Sequence, residues 1–282
     1  MEAETLKEYE TSLIQFLETE FEKELLKASF KNLLDMENKL RFTGFSIGVR
    51  ELSRNILVRL SPDEKVLKCK WYKSEIKDKP NGITRGQRVI YAVQGGLNDT
   101  FVSKELGLDL VRLNKSVKEA IEILNKYVHV EESTFGLSET EIDKSVKIII
   151  GAFLNLFLTI KECRETLILK LESSIDNTLI NHVLIEVINE IDNLSTHHWI
   201  EDINSNQINI SEIDSKNIIL ITNGTIDAKL QYGSSGDLRK GDGLEVYQSF
   251  PFKCLLKCNV NDIHLFEPEI ETLEIDTKSW DE

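Results

Sequence analysis

The chain has few of the residues that staple small secreted folds. Its four cysteines, Cys69, Cys163, Cys254 and Cys258, are scattered through 282 residues, and none form a Cys-x-x-Cys pair. They read as reduced thiols of a cytoplasmic protein. The start, Met1-Glu2-Ala3-Glu4, lacks the basic and then apolar pattern of a secretory signal. The most apolar window, residues 148–160, is shorter than the roughly 20 residues that cross a bilayer, so it reads as a buried helix and no membrane partner is expected. A strand–G-x-G-x-x-G–helix fingerprint, a Walker-type lysine motif, a G-x-S-x-G elbow and a Ser-His-Asp order are all missing. So are internal repeats and low-complexity stretches.

Apolar residues make up 41% and charged residues 29%, a globular balance that excludes disorder. The net charge of −14 works against non-specific contact with DNA or anionic membranes. That charge is unevenly spread. Lys65, Lys68, Lys70, Lys73, Lys77, Lys79, Arg85 and Arg88 are opposed only by Glu75 and Asp78, a local +6 that leaves −20 for the rest.

Apolar periodicity predicts a helix over 6–40, a second over 49–60 and a third opened by a Ser61-Pro62-Asp63-Glu64 capping box and carrying Trp71. Gly44 and Gly48 loosen the stretch between the first two. Lys79-Pro80-Asn81-Gly82 reads as a turn. Thr84 then caps a helix over 85–94, ended by Gly95-Gly96. Helices follow near 101–106 and 108–127. Ser138-Glu139-Thr140-Glu141 is another capping box, before a long helix to about residue 171, and a last helix covers 178–194. After Ser195 the period changes from 3.6 to 2. Asn223-Gly224 reads as a hairpin turn between strands 217–221 and 225–232, with more strands at 244–248, 252–260 and 270–275. The expected fold is therefore α+β: a mainly helical domain, 1–195, and a small antiparallel β-rich domain, 196–282.

Three places carry candidate chemistry. Lys68, Lys70, Arg85 and Arg88, grouped with Trp71, suit a phosphate backbone and a stacked base. The competing reading is a solvated face paired with the chain's own acids, since residues 267–282 hold seven acids against one lysine. Asp214, Asp227 and Lys229 form an acid…acid-x-lysine pattern of the kind that holds a divalent metal beside an attacked phosphate, with magnesium as the ion. Asp227 and Lys229 share one strand face, where plain alternation of charge on a solvated face explains them equally well. The loop Gly233-Ser234-Ser235-Gly236-Asp237 to Gly243 reads as a structural turn in which Asp237 and Asp242 are candidate cation ligands. His197-His198 lacks a third ligand at zinc spacing.

Several motifs in order resemble one family. Leu230-Gln231-Tyr232-Gly233-Ser234 with Asp237, Gly241-Asp242-Gly243, Ser249-Phe250-Pro251-Phe252 and Asp276-Thr277-Lys278-Ser279-Trp280 are similar to the family named predicted pPIWI-associating nuclease. Leu60-Ser61-Pro62-Asp63-Glu64-Lys65-Val66, Trp71, Thr84-Arg85 and Gln87-Arg88 extend the resemblance toward the N-terminus. It implies a bacterial anti-phage component acting near nucleic acid, with a protein partner in a defence complex, and it leaves homo-oligomers open. Two readings stand: a metal-dependent nuclease, or a non-catalytic adaptor or sensor that binds an effector protein or a phage component.

Overall fold

The computed structural model describes residues 3–76, 79, 81–185, 189–261 and 268–278. Lys77, Asp78, Pro80, Glu267, Ser279 and Trp280 lie outside them, as do residues 186–188 of the last predicted helix. The chain is α+β and divides into two compact units, Met1–Cys163 and Arg164–Glu282.

The first unit holds α1 (Ala3–Ile14), α2 (Glu20–Leu34), α3 (Arg41–Leu60), α4 (Asp63–Val66), α5 (Arg85–Gln94), α6 (Asp99–Lys104), α7 (Leu110–Tyr127) and the start of α8 (Glu139–Ile185). The helix expected over 6–40 is two helices. The Thr19 hydroxyl accepts a hydrogen bond from the Glu22 amide, and the Glu22 carboxylate accepts one from the Thr19 amide at 3.5 Å. This capping box starts α2 afresh, and Thr19-x-x-Glu22 was its signal. Gly44 and Gly48 do not loosen the chain; they lie inside α3. A Cβ on Gly48 would stand 2.0 Å from Ser29 Oγ, and one on Gly44 would stand 2.8 Å from the Asn32 side chain. Glycine here buys close approach of α2 and α3 at the expense of helix propensity. Between these helices Phe30 meets Phe45 edge-on at 5.8 Å, both fully buried.

The capping box expected at Ser61 is absent. Ser61 Oγ donates to the Arg88 carbonyl at 2.7 Å, and Pro62 occupies the cap of a single turn. Trp71 therefore lies beyond α4, in the loop that follows. The predicted α5 is observed over its full expected range, with Thr84 capping and Gly95 (φ +54°) terminating it. Ser138 and Glu141 exchange the expected capping bonds.

The two helices predicted after that box are continuous as far as Ile185. In α8, Leu167, Leu171, Ile175 and Leu179 repeat the buried stripe every four residues, so no break interrupts it. The short α9 (Asn189–Asp192) follows.

The second unit carries a four-stranded antiparallel sheet in the order β1 (His197–Ile213), β2 (Asn217–Tyr232), β3 (Leu244–Asn259) and β4 (Glu269–Ile275), with α10 (Ser235–Lys240) between β2 and β3. The hairpin expected at Asn223-Gly224 does not form; β2 runs straight through it. Gly224 lies between Ser205 and Phe252, and a Cβ there would meet the Asn204 carbonyl at 2.0 Å and the Phe252 ring at 2.7 Å. The glycine marks crowding by both neighbouring strands. β3 likewise joins two predicted strands into one. Ile218, Leu220, Ile226 and Leu230 of β2 and Phe250, Cys254 and Leu256 of β3 are fully buried. Burial pushes the Cys254 thiol up to about 12, which keeps it protonated and inert. All four cysteines are free and buried.

Candidate functional site

Most of the basic segment lies between α4 and α5, where the described residues 67–76, 79 and 81–84 are irregular and are clamped to α5 by neutral groups. Trp71 Nε1 donates to the Gly95 carbonyl at 2.7 Å, Tyr72 Oη donates to the Gly82 carbonyl at 3.1 Å, and Gln87 Nε2 donates to the Lys73 carbonyl at 2.7 Å. Val66, Cys69 and Tyr91 form a small core against which Trp71, Tyr72 and Ile83 pack. Amphipathic aromatics thus serve as anchors, apolar face inward and polar atom satisfied. Lys68, Lys70, Lys73, Lys79 and Arg85 are exposed. Among the described residues none of these five is drawn into an ion pair.

Two residues expected to bind ligand are already engaged. Arg88 is half-buried and donates to the Ser61 carbonyl and to Asp63 Oδ1, the latter at 2.5 Å. Its guanidinium ties α5 to α4. Trp71 is held by its indole N–H and its packing, so it fixes the loop and is not an open stacking platform. Among the described acids of the C-terminal segment, Glu271 pairs with Lys257 inside the sheet at 3.3 Å.

The expected acid…acid-x-lysine centre is not assembled. Asp214 sits in the β1–β2 turn, where its Oδ1 accepts the amides of Lys216 at 2.6 Å and Asn217 at 2.8 Å. Asp227 lies ten residues along β2 from Asn217, about 33 Å away at strand rise. No single metal spans that distance. Asp214→Ala is expected to cost about 1 kcal/mol through the lost turn bonds, read as a lower urea midpoint, with any cleavage activity unchanged.

Asp227 and Lys229 do share a face. Asp227 lies opposite Asp202 of β1 and Ser249 of β3. Asn204 Nδ2 bridges the two carboxylates, at 3.3 Å to Asp202 and 3.5 Å to Asp227, and Ser249 Oγ also donates to Asp227. Lys229 pairs with Glu245 at 2.8 Å and lies 5.8 Å from the rings of both Trp199 and Tyr247. The hydrogen bond to Glu245 holds the lysine pKa above its ordinary value despite opposing desolvation, so the amine stays cationic. A register shift between Ile200 and Asp202 makes Glu201 an extra residue on β1, a bulge of the kind that re-aims side chains. Glu201, Lys229 and Glu245 line a shallow groove of about 600 Å³ with Trp199. Trp199, Glu201 and Asp202 stand out in sequence only as the residues that follow His197-His198; cross-strand register alone makes them, with Glu245 and Tyr247, neighbours of Asp227 and Lys229.

Among the described residues no group of three or more His, Cys, Asp or Glu is placed to hold a metal ion. The Asp202–Asp227 pair is what the sheet offers, and magnesium is commonly held by one or two carboxylates with substrate phosphates completing the shell. Asp237, a candidate cation ligand of the glycine-rich loop, is the acid of the capping box that Ser234 opens at the start of α10. The bonds from Ser234 Oγ and the Ser234 amide hold its carboxyl below the usual range. His198 faces Asp192 at 3.4 Å. No described helix is long and apolar enough to cross a membrane.

A family model described as predicted pPIWI-associating nuclease matches residues 14–153, and a second of the same description matches residues 160–281. No curated protein and no solved structure matches the chain.

Proposed function

The chain belongs to the predicted pPIWI-associating nuclease family, and on that premise we infer that it works on nucleic acid as a cytoplasmic component of a bacterial anti-phage defence system. The observation that carries this reading is the clamped loop with its exposed Lys68, Lys70, Lys73 and Lys79, continued by exposed Arg85 at the start of α5. A chain of net charge −14 gains nothing in solubility from a local cluster of opposite sign. The loop's neutral groups are turned inward and its cations outward, which is the arrangement a phosphate backbone requires. Trp71 and Arg88 contribute by holding that loop in place.

Cleavage, where the chain performs it, is assigned to the polar sheet face. Asp227 and Asp202 would hold magnesium, with Lys229 the nearest fixed cation on that face. The chain's own residues hold the two carboxylates beside each other through Asn204 and orient Asp227 through Ser249.

The test is direct. Binding of the full chain to labelled DNA and RNA should weaken roughly 10³-fold or more between 50 and 200 mM salt if some six phosphates are contacted. Magnesium-dependent cleavage should vanish in Asp227→Ala. Salt-independent binding, or none, would remove the nucleic-acid reading. Binding with no cleavage by the unaltered chain would favour the adaptor role, and cleavage that survives Asp227→Ala would move the catalytic centre elsewhere.

A further inference from the structure

The described residues of the first unit carry a further basic surface besides the loop. α6 and α7 follow in the order of a helix-turn-helix unit, a short helix, a turn containing glycine and a longer helix, with α5 packed on α7. The turn between α6 and α7 has Gly107 at φ +70°. It is closed by the Leu106 amide on the Phe101 carbonyl at 3.2 Å and the Leu108 amide on the Val102 carbonyl at 3.1 Å. Leu106, Leu108, Leu113 and Val117 are buried beneath it. The preceding turn is held by Gln94, whose buried amide donates to the Leu97 carbonyl at 2.9 Å and to Asp99 at 2.7 Å. α5 and α7 both pack on α3 and on each other.

The exposed side of α7 is cationic over its first half. Arg112, Lys115 and Lys118 are exposed at spacings of three, with no carboxylate anywhere from Leu110 to Lys118. Residues so spaced are neighbours on a helix surface. Among the described residues Arg112 and Lys115 make no ion pair, while Lys118 reaches Glu122 at 3.8 Å. The nearby acids Asp99 and Asp109 are engaged, Asp99 with Gln94 and Asp109 as the cap of α7 on the Arg112 amide at 2.9 Å. Beside this stripe Val111 is 84% exposed, an apolar side chain one turn from Lys115 with nothing covering it.

We propose that the N-terminal half of α7 is a recognition helix that enters the major groove of duplex DNA, with Arg112, Lys115 and Lys118 on phosphates or base edges and Val111 against a base-pair edge. The proposal rests on the nucleic-acid reading above and adds the form of the ligand. B-DNA's major groove is wide enough for a helix, whereas that of duplex RNA is deep and narrow. The clamped loop reaches the same place. Gly86, next to Arg85, packs so closely on α7 that a Cβ there would stand 2.8 Å from the Asn114 amide. Arg85 therefore sits at the edge of the α7 surface, where it would take the flanking phosphates.

The experiment compares the full chain with Val111→Glu, with Arg112→Ala/Lys115→Ala/Lys118→Ala, and with a loop variant, Lys68→Ala/Lys70→Ala. Each is measured by anisotropy on a 30-base-pair DNA duplex and on duplex RNA of equal length, with circular dichroism to verify folding. All the substituted side chains are exposed, so the variants should fold. The unaltered chain should prefer the DNA duplex, and both α7 variants should lose about tenfold or more in affinity for it. If the α7 variants bind DNA like the unaltered chain while the loop variant is weakened, the recognition helix is wrong and the broader reading stands. Equal binding of duplex RNA also overturns it. If the unaltered chain binds neither duplex, the recognition helix is wrong, and if a labelled single strand measured alongside is not bound either, the nucleic-acid reading falls with it.

Discussion

Alanine at Lys68, Lys70 and Arg85 together is expected to weaken polynucleotide binding by roughly ten- to a hundredfold near physiological salt and to leave the fold intact. The three side chains are exposed, and none is paired among the described residues, so removing them leaves no buried group without a partner. The informative readout is the slope of log affinity against log salt. Each phosphate contact contributes about 0.9 to that slope on duplex DNA and about 0.7 on single strands, so three lost contacts should flatten it by about 2.7 or 2.1. Trp71→Ala is the contrasting variant, since it acts through the clamp and should lower thermal stability along with affinity. A slope unchanged in the triple variant would mean that the cations face only solvent.

The second large effect is on stability. Glu22→Ala should cost about 2–4 kcal/mol. Glu22 is 2% exposed, and its carboxylate accepts Arg59 Nε at 2.9 Å, Arg59 Nη2 at 3.2 Å and the Glu18 amide at 3.1 Å. Removing it leaves Arg59, itself 22% exposed at the side chain, with only the exposed Glu18, and it undoes the cap that starts α2. The pH dependence has a definite sign. Burial alone would raise the Glu22 pKa, but the Arg59 bonds and the backbone amides outweigh it and hold the value below 4.5. A depressed carboxylate contributes its stability above the unfolded pKa and loses it as pH falls through the folded one. The stability gap between the unaltered chain and Glu22→Gln should therefore be widest near neutral pH and close as pH falls from the ordinary glutamate range through the lowered folded value. A gap constant with pH would show that the charge on Glu22 is not what binds α2 to α3.

The α+β class with its β-rich C-terminal part, α5 with both its ends and the Ser138 capping box were all legible in local pattern. Each rests on contacts a few residues apart, in which side chain and backbone choose the conformation together. The errors share a different cause. Gly44, Gly48 and Gly224 resemble breakers, yet each sits inside a regular element because another helix or strand comes close there. Ser61 resembles a cap, yet its hydroxyl goes to Arg88, 27 positions away. The missed start of α2 was a local signal overlooked.

By itself the sequence determined that eight cations fall within one short segment of an acidic chain, and which residues would line one face of each strand or helix, because charge and period are properties of neighbours along the chain. Which cations remain free was decided by the tertiary structure, which consumed Arg88 and Trp71 as fasteners and left Lys68, Lys70 and Arg85 outside. It also parted Asp214 from Asp227 and set Asp227 against Asp202. Strand register and helix packing join positions far apart in the chain, and a single sequence carries no measure of that distance.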